Sequence, residues 1–264
     1  MKIVFLTGSH PRHLYIANKL FESGYLSSLV IEKREPHLPK ANDDLDPKLK
    51  ELFNLHFKKR VESEKKFFGV QSYPNISTHF TDKDNLNSQS TIDFINKHES
   101  NVLVSYGVHK LSNSLLNSFT GEKWNIHGGL SPWYRGNITH FWPSYFLEPQ
   151  MTGMTIHDLT ENIDGGSIIH QNSSKLVYGD GIHDLACRSV KSLSKELIRL
   201  IQFFENKKLL KKKRQNTPGK IWTSLDWRPE HLDLIYNVYD DKIVDLCLDG
   251  KIKGKVPKLY RQFD

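Results

Sequence analysis

The chain has 264 residues, 38% hydrophobic and 25% charged, which is ordinary for a folded cytosolic protein and leaves room for one substantial α/β domain plus a small appendage. Lys and Arg number 37 against 30 Asp and Glu, a formal charge of +7 that favours anionic partners without choosing between nucleic acid, nucleotide and folate. Only two cysteines occur, Cys187 and Cys247, with no metal-ligand spacing and no disulfide framework; the opening apolar run is too short for a signal peptide and no window reaches the length of a membrane span, so a reducing cytoplasm is expected.

Ile3-Val4-Phe5-Leu6 is a short apolar run, the pattern of a buried parallel strand. Gly8-Ser9-His10-Pro11 breaks it, and Pro11 suits the first turn of a helix. Leu14, Ile16, Ala17, Leu20 and Phe21 then recur at helical spacing, and Leu29-Val30-Ile31 reads as the next strand. Strand, turn, helix, strand is the opening unit of a doubly wound, mostly parallel, Rossmann-like sheet. From Pro47 to Phe68 a charged helix is predicted with Leu49, Leu52, Phe53, Phe57, Val61 and Phe68 in one stripe. His56, Arg60 and Glu64 lie four apart on a neighbouring face, which reads as a solvated surface of i,i+4 ion pairs.

A polar stretch from Thr81 to Thr91 leads to a short helix around Ile92 to Lys97, then to a central strand, Asn101 to Gly107. A helix near Asn113 to Phe119 precedes the strand Lys123-Trp124-Asn125-Ile126-His127, closed by Gly128-Gly129. Aromatic residues cluster from Trp133 to Phe146. Met154 to His157 and Ser167 to His170 read as two strands flanking the loop Thr160 to Gly166. A long helix from about Gly181 to Glu205 finishes a main domain over residues 1–205, with Leu185, Val190, Leu193, Leu197, Leu200 and Ile201 inward. The basic run Lys207 to Arg214 and the turn-rich Gln215 to Gly219 join it to a small helical extension, 206–264, with helical patterns at Glu230–Tyr239 and Asp241–Asp249.

The chemistry concentrates at Asn125-Ile126-His127. Alternation along a strand points Asn125 and His127 to one face and Trp124 and Ile126 to the other. The glycines that follow turn the chain at the strand's carboxyl end, where open parallel sheets bind ligands. Asp164 stands in Glu161-Asn162-Ile163-Asp164-Gly165-Gly166, a loop shaped to lay a carboxylate over a pocket. Gly8-Ser9-His10 before a helix N-terminus fits either a substrate phosphate or an ordinary strand-to-helix turn, and it lacks the Walker and Gly-x-Gly-x-x-Gly patterns.

With Leu130-Ser131-Pro132-Trp133-Tyr134-Arg135-Gly136, Thr155-Ile156-His157 and Asp164-Gly165-Gly166 in this order, the chain resembles the formyltransferases that use 10-formyltetrahydrofolate. They include enzymes acting on glycinamide ribonucleotide, methionyl-tRNA and nucleotide-linked amino sugars. The resemblance runs from the first strand to about residue 205. One departure is visible: the usual Ser-Leu-Leu-Pro is Gly129-Leu130-Ser131-Pro132, which bears on the acceptor side of the pocket.

The resemblance implies a formyltransferase fold and a catalytic triad of Asn125, His127 and Asp164, with no metal. It implies that Ser105-Tyr106-Gly107-Val108-His109 and the loop from Thr160 through Ile163 to Asp164 hold the folate, although a plain strand-to-helix turn also explains Ser105 to His109. On the acceptor side it leaves Gly8, Ser9, His10, Trp133, Tyr134 and Arg135. A core with a short helical tail looks most like the sugar N-formyltransferases of cell-surface polysaccharide (O-antigen) pathways, usually dimers that act on nucleotide-linked amino sugars. Two other readings within this chemistry are methionyl-tRNA formylation, with the basic run gripping phosphates rather than forming a solvated helix end, and hydrolysis of the formyl donor. A non-catalytic binding module is the third, and the intact triad argues against it.

Overall fold

The computed structural model describes residues 1–207, 209–216 and 220–263. Lys208 of the basic run and Thr217, Pro218 and Gly219 of the joint lie outside them. Seven strands form one sheet: β1 (Ile3–Thr7), β2 (Leu26–Glu32), β3 (Thr78–Thr81), β4 (Val102–Tyr106), β5 (Glu122–His127), β7 (Gly153–Asp158) and β8 (Ile168–Ser173). Their order is β3-β2-β1-β4-β5-β7-β8. The first five are parallel, and β7 and β8 run antiparallel. The doubly wound reading holds, extended by the antiparallel pair on one edge.

Each face of the sheet is covered because its strands are apolar on both sides. Phe5, Val104, Trp124 and Ile126 pack under α1 (Pro11–Glu22) and α6 (Ile182–Lys207). Val4, Leu6 and Leu103 pack under α3 (Gln89–Lys97) and α4 (Asn113–Ser118). Trp124, fully buried, marks the first face, so Asn125 and His127 point to the second, as their alternation predicts. In α1 the predicted inner stripe is buried except Phe21, which is 41% exposed.

Helix α2 spans Pro47–Phe68, as its pattern predicts. Asp46 caps it, its side chain accepting from the Lys48 and Leu49 amides, and Gly69 ends it at φ 67°. The solvated face expected for His56, Arg60 and Glu64 is a correction. α2 packs against α1 and α6, and this packing leaves His56 5% and Glu64 3% exposed. A spacing of four serves an ion-paired surface and an interior polar seam equally well; only the neighbouring helices decide between them.

Past Lys207, the last residue of α6, the described part of the basic run leaves the helix. Lys213 exchanges backbone hydrogen bonds with Ile168, and Lys212 pairs with Glu122 and Asp158, each at 2.8 Å. Two features have no counterpart in the sequence reading: strand β3, and a two-stranded parallel pair of β6 (Arg135–Gly136) with β9 (Ile221–Trp222). The C-terminal helices α7 (His231–Asp233, continued as a π turn to Val238) and α8 (Ile243–Leu248) fall within the predicted patterns. Leu232, Ile235 and Ile243 share a buried cluster with Leu130, Phe141 and Trp142 of short helix α5 (Trp142–Tyr145), so this apolar segment packs on the core.

Trp124→Ala would remove the largest fully buried side chain of the central strand. It should cost about 3–5 kcal/mol of stability by opening a cavity between sheet and α6, read as a lowered urea midpoint. A loss below about 1 kcal/mol would mean that this core is far looser than its burial implies.

Candidate active site

The site grows from strand register. At the carboxyl end of the sheet, Ser105 of β4 stands opposite Asn125 of β5, which stands opposite His157 of β7. Three polar side chains thus form one row across three strands, and hydrogen bonds run along it. Ser105 Oγ donates to Asn125 Oδ1 at 2.7 Å, which turns the Asn125 amide N–H groups toward His157 Nε2, 3.1 Å away. His157 Nδ1 donates to the Asp158 carbonyl at 2.8 Å, so in the neutral ring Nε2 is the acceptor.

Asp164 closes over this row. Its backbone is left-handed, φ 45°, a region Asp tolerates better than most residues. Oδ2 accepts from the Gly136 amide at 2.7 Å and lies 3.3 Å from His127 Nδ1. Oδ1 lies 3.4 Å from His157 Nε2 and 3.5 Å from Asn125 Nδ2. The loop is held from outside as well: Arg135 Nη2 donates to Ile163 O at 2.6 Å, and Gln215 Nε2 donates to Asp164 O and Gly166 O at 2.8 and 2.7 Å. A side chain at Gly166 would stand 1.9 Å from Asp158 O, so the loop can close onto β7 only with glycine there.

His127 Nε2 donates to Tyr134 O at 2.7 Å, leaving the Nδ1 lone pair facing Asp164. Burial lowers the pKa of His127, and the Asp164 carboxylate offsets only part of that. Burial opposes ionisation of Asp164, but His127, His157 and the Gly136 amide together hold its carboxyl well below the usual range. At neutral pH the pair is therefore a carboxylate against a neutral imidazole, with no proton between them. Two facing lone pairs repel, and a single added proton converts that repulsion into an ion-paired hydrogen bond. The arrangement is a proton acceptor beside an oriented amide donor.

The three predicted catalytic residues are thus in contact. The other predicted residues divide. Thr160 and Ile163 stand exposed on the Asp164 loop, and Ile163 lines a cleft of about 460 Å³ with Lys110, Arg135, Glu161 and Gln215. Ser105 positions Asn125. Tyr106 points to the opposite face, its ring 4.7 Å from that of His13, and Val108 joins the core under α3 and α4. His109 docks on buried Glu32, whose Oε2 accepts its amide at 2.9 Å; this fixes the turn after β4. At Gly107, φ 68°, a side chain would meet His13 at 2.5 Å.

Gly8, Ser9 and His10 lie at the end of β1, two strands from Asn125, and do not touch the triad. Trp133 is 37% exposed, while Tyr134 corrects the expectation of a substrate contact through its ring. That ring is buried, its hydroxyl donating to Glu148 at 3.0 Å, and only its carbonyl reaches the site. Arg135 secures the Asp164 loop and lines the cleft. His157 and Gly136 enter the sequence reading only as motif residues without an assigned contact, and Gln215 only as part of the turn-rich joint. Alternation places His157 on the same strand face as Thr155, but only the register to β5 reveals its partner.

A family model described as formyl transferase matches residues 55–201. Among curated relatives, the bifunctional polymyxin resistance protein ArnA of Wigglesworthia glossinidia brevipalpis is 33% identical over 126 residues, 47% of this chain and 18% of that protein. The methionyl-tRNA formyltransferase of Prochlorococcus marinus (strain MIT 9215) is 28% identical over 171 residues, 61% of this chain and 50% of that protein. The matches therefore span half or less of either relative. Among solved structures, glycinamide ribonucleotide transformylase 1 from Symbiobacterium toebii superposes with a TM-score of 0.56 at 16% identity, covering 81% of this chain and 92% of that one. The N-formyltransferase from Helicobacter canadensis, solved with folinic acid and dTDP-3-aminofucose, does so at 0.50 and 15%, covering 86% and 73%. These structural likenesses establish the shared fold.

The electrostatics predict that the His127 ring titrates below its ordinary 6.5. Because Asp164 raises that pKa, Asp164→Asn should move the midpoint lower still. Ring-nitrogen NMR shifts against pH measure both. A wild-type midpoint at or above 6.5, or an upward move in the variant, would contradict the protonation states assigned to the pair.

Proposed function

The chain belongs to the formyl transferase family, and we propose that it moves a formyl group from 10-formyltetrahydrofolate to the amine of a nucleotide-linked amino sugar. The observation that carries the reading is the convergence of Asn125, His127 and Asp164 at the carboxyl end of β5, with an amide N–H donor and an empty proton acceptor facing one another.

Formyl transfer needs a donor for the oxyanion, an acceptor for the amine's proton and firm positioning of both substrates. Ser105 fixes the Asn125 amide with its N–H groups toward His157 Nε2 and Asp164 Oδ1, and one of them turns to the formyl oxygen as negative charge builds there. The amine loses a proton as its nitrogen bonds to the formyl carbon. Asp164 takes that proton directly or through water and shares it with His127 Nδ1, since His127 Nε2 is already committed to Tyr134 O. Collapse of the tetrahedral species breaks the bond to the folate nitrogen, and the same proton neutralises the departing tetrahydrofolate amine.

The cleft beside the Asp164 loop suits the folate. Ile163 offers an apolar wall, 54% exposed, Gln215 Oε1 is a buried acceptor with no partner among the described residues, and Lys110 and Arg135 bring positive charge toward glutamyl carboxylates. The described part of the basic run lies on the sheet edge, where Lys212 already pairs with Glu122 and Asp158. No helix among the described residues is long and apolar enough to cross a membrane.

Two measurements test the proposal. Nucleotide-linked amino sugars incubated with 10-formyltetrahydrofolate should gain a formyl group by mass; formate released at the same rate without any amine would mean hydrolysis instead. Asn125→Ala and Asp164→Ala should each lower turnover by at least about a hundredfold. Near-normal turnover would remove that residue from the mechanism.

A further inference from the structure

Beside the row of Ser105, Asn125 and His157 runs a second one. His127 of β5 stands opposite Thr155 of β7, and Thr155 opposite Gln171 of β8. Thr155 is fully buried and Gln171 is 1% exposed. Gln171 Nε2 donates to Ser131 O at 2.7 Å and to Thr155 Oγ1 at 3.1 Å. Thr155 Oγ1 also accepts from the Ser131 amide at 2.9 Å and donates to Gly129 O at 2.7 Å. A hydroxyl has one proton and two lone pairs, and a side-chain amide has two N–H donors; these contacts use all of them. On its far side Gln171 meets the C-terminal segment. Its Oε1 accepts from the Tyr260 amide at 3.1 Å, and its own backbone amide donates to Tyr260 O at 2.8 Å.

What this network holds is the turn from Gly129 to Ser131. Within it Leu130 O accepts from the Trp133 and Tyr134 amides at 3.0 and 2.9 Å, so the turn sets where the Tyr134 carbonyl stands. A side chain at Gly129 would lie 2.4 Å from that carbonyl oxygen and 2.7 Å from His127 Nε2, so the turn's backbone lies against the bond between them. That bond decides where the neutral ring keeps its one proton. Two acceptors compete for it: Tyr134 O, 2.7 Å from Nε2, and Asp164 Oδ2, 3.3 Å from Nδ1. A carboxylate is intrinsically the stronger acceptor. The carbonyl prevails because it is held closer. Were it to withdraw, the proton would pass to Nδ1, and the free lone pair beside Asp164 would be lost.

We propose that Gln171 is a positioning residue: through Thr155 and the turn from Gly129 to Ser131 it fixes Tyr134 O, and so keeps the His127 proton on Nε2. The Tyr260 amide is the outer end of the same device. Glu in place of Gln171 would set a carboxylate against Ser131 O. Met would keep the length but leave Ser131 O and the Tyr260 amide without their partner. The consequence for turnover rests on the formyl-transfer reading; the place of the proton does not.

The test is the pair of ring-nitrogen NMR shifts of His127, read at a pH above the ring's midpoint, where they separate the two neutral tautomers. The wild type should carry its proton on Nε2, and Gln171→Met should move most of it to Nδ1. Tyr260→Pro removes one N–H at the outer end; it should move the proton the same way by less, and it decides the matter if Gln171→Met does not fold. Asn172→Ala is the control for mere loosening of β8. Its side chain lies on the other face, donating to Ser189 O at 3.1 Å, so its loss should lower the melting temperature and leave the ring shifts in place. With 10-formyltetrahydrofolate and a nucleotide-linked amino sugar, Gln171→Met should lower kcat by about tenfold or more and leave the folate KM little changed. A proton that stays on Nε2 in Gln171→Met, or in Tyr260→Pro where the first variant does not fold, would overturn the proposal. So would equal movement in Asn172→Ala. A moved proton with unchanged kcat would overturn the role in turnover. A moved proton in a chain whose wild type formylates no amine would sink the formyl-transfer reading and leave the positioning role standing.

Discussion

The carboxylate of Asp164 is where the parts of this molecule meet. Its two oxygens touch groups from β5, from β6 and from β7, and its loop is tied down by the segment that follows α6. None of these contacts is strong alone. Together they hold an ion in a place that burial makes hostile to it, with the Gly136 amide as its close hydrogen-bond donor. Burial keeps the nearest histidine, His127, unprotonated. A fixed positive partner would stabilise the carboxylate more and leave it a poorer proton acceptor.

The rest of the catalytic end follows from the geometry of a sheet. Ser105, Asn125 and His157 align because three strands are in register, and rigid strands hold that alignment better than loops would. The face opposite carries the histidine- and arginine-rich seam between α1 and α2. Burial drives its imidazoles toward the neutral form: His140 and His10 to about 4, His183 to about 3. Arg12 lies 2.6 Å from Glu64 Oε1, and the same carboxylate acts on Arg60 one helical turn earlier.

Much of this was readable from residues alone. The alternation in Trp124-Asn125-Ile126-His127 gave the face of each side chain, and the apolar periods of α1 and α6 gave their inner stripes. Short polar elements escaped. Thr78-His79-Phe80-Thr81 looks like loop, and the pairing of Arg135–Gly136 with Ile221–Trp222 joins segments more than eighty positions apart, beyond the reach of any local pattern. The buried seam of α2 escaped for a different cause: four-residue spacing of His, Arg and Glu carries no information about whether another helix lies on top. The partners of Asn125 and Asp164 depend on cross-strand register, which a single strand's sequence does not contain.

The segment after α6 changes what a boundary near residue 205 would mean. Gln215 pins the Asp164 loop, β9 pairs with β6, whose Gly136 amide grips the carboxylate, and Gln262 reaches His170 on β8. The C-terminal portion is thus a brace for the reacting centre rather than an accessory hung beside it. Evolutionary exchange of this portion between relatives would retune the chemistry itself, so divergence there is coupled to divergence of the catalytic loop, and chimeras joined at the end of α6 inherit a mismatched latch.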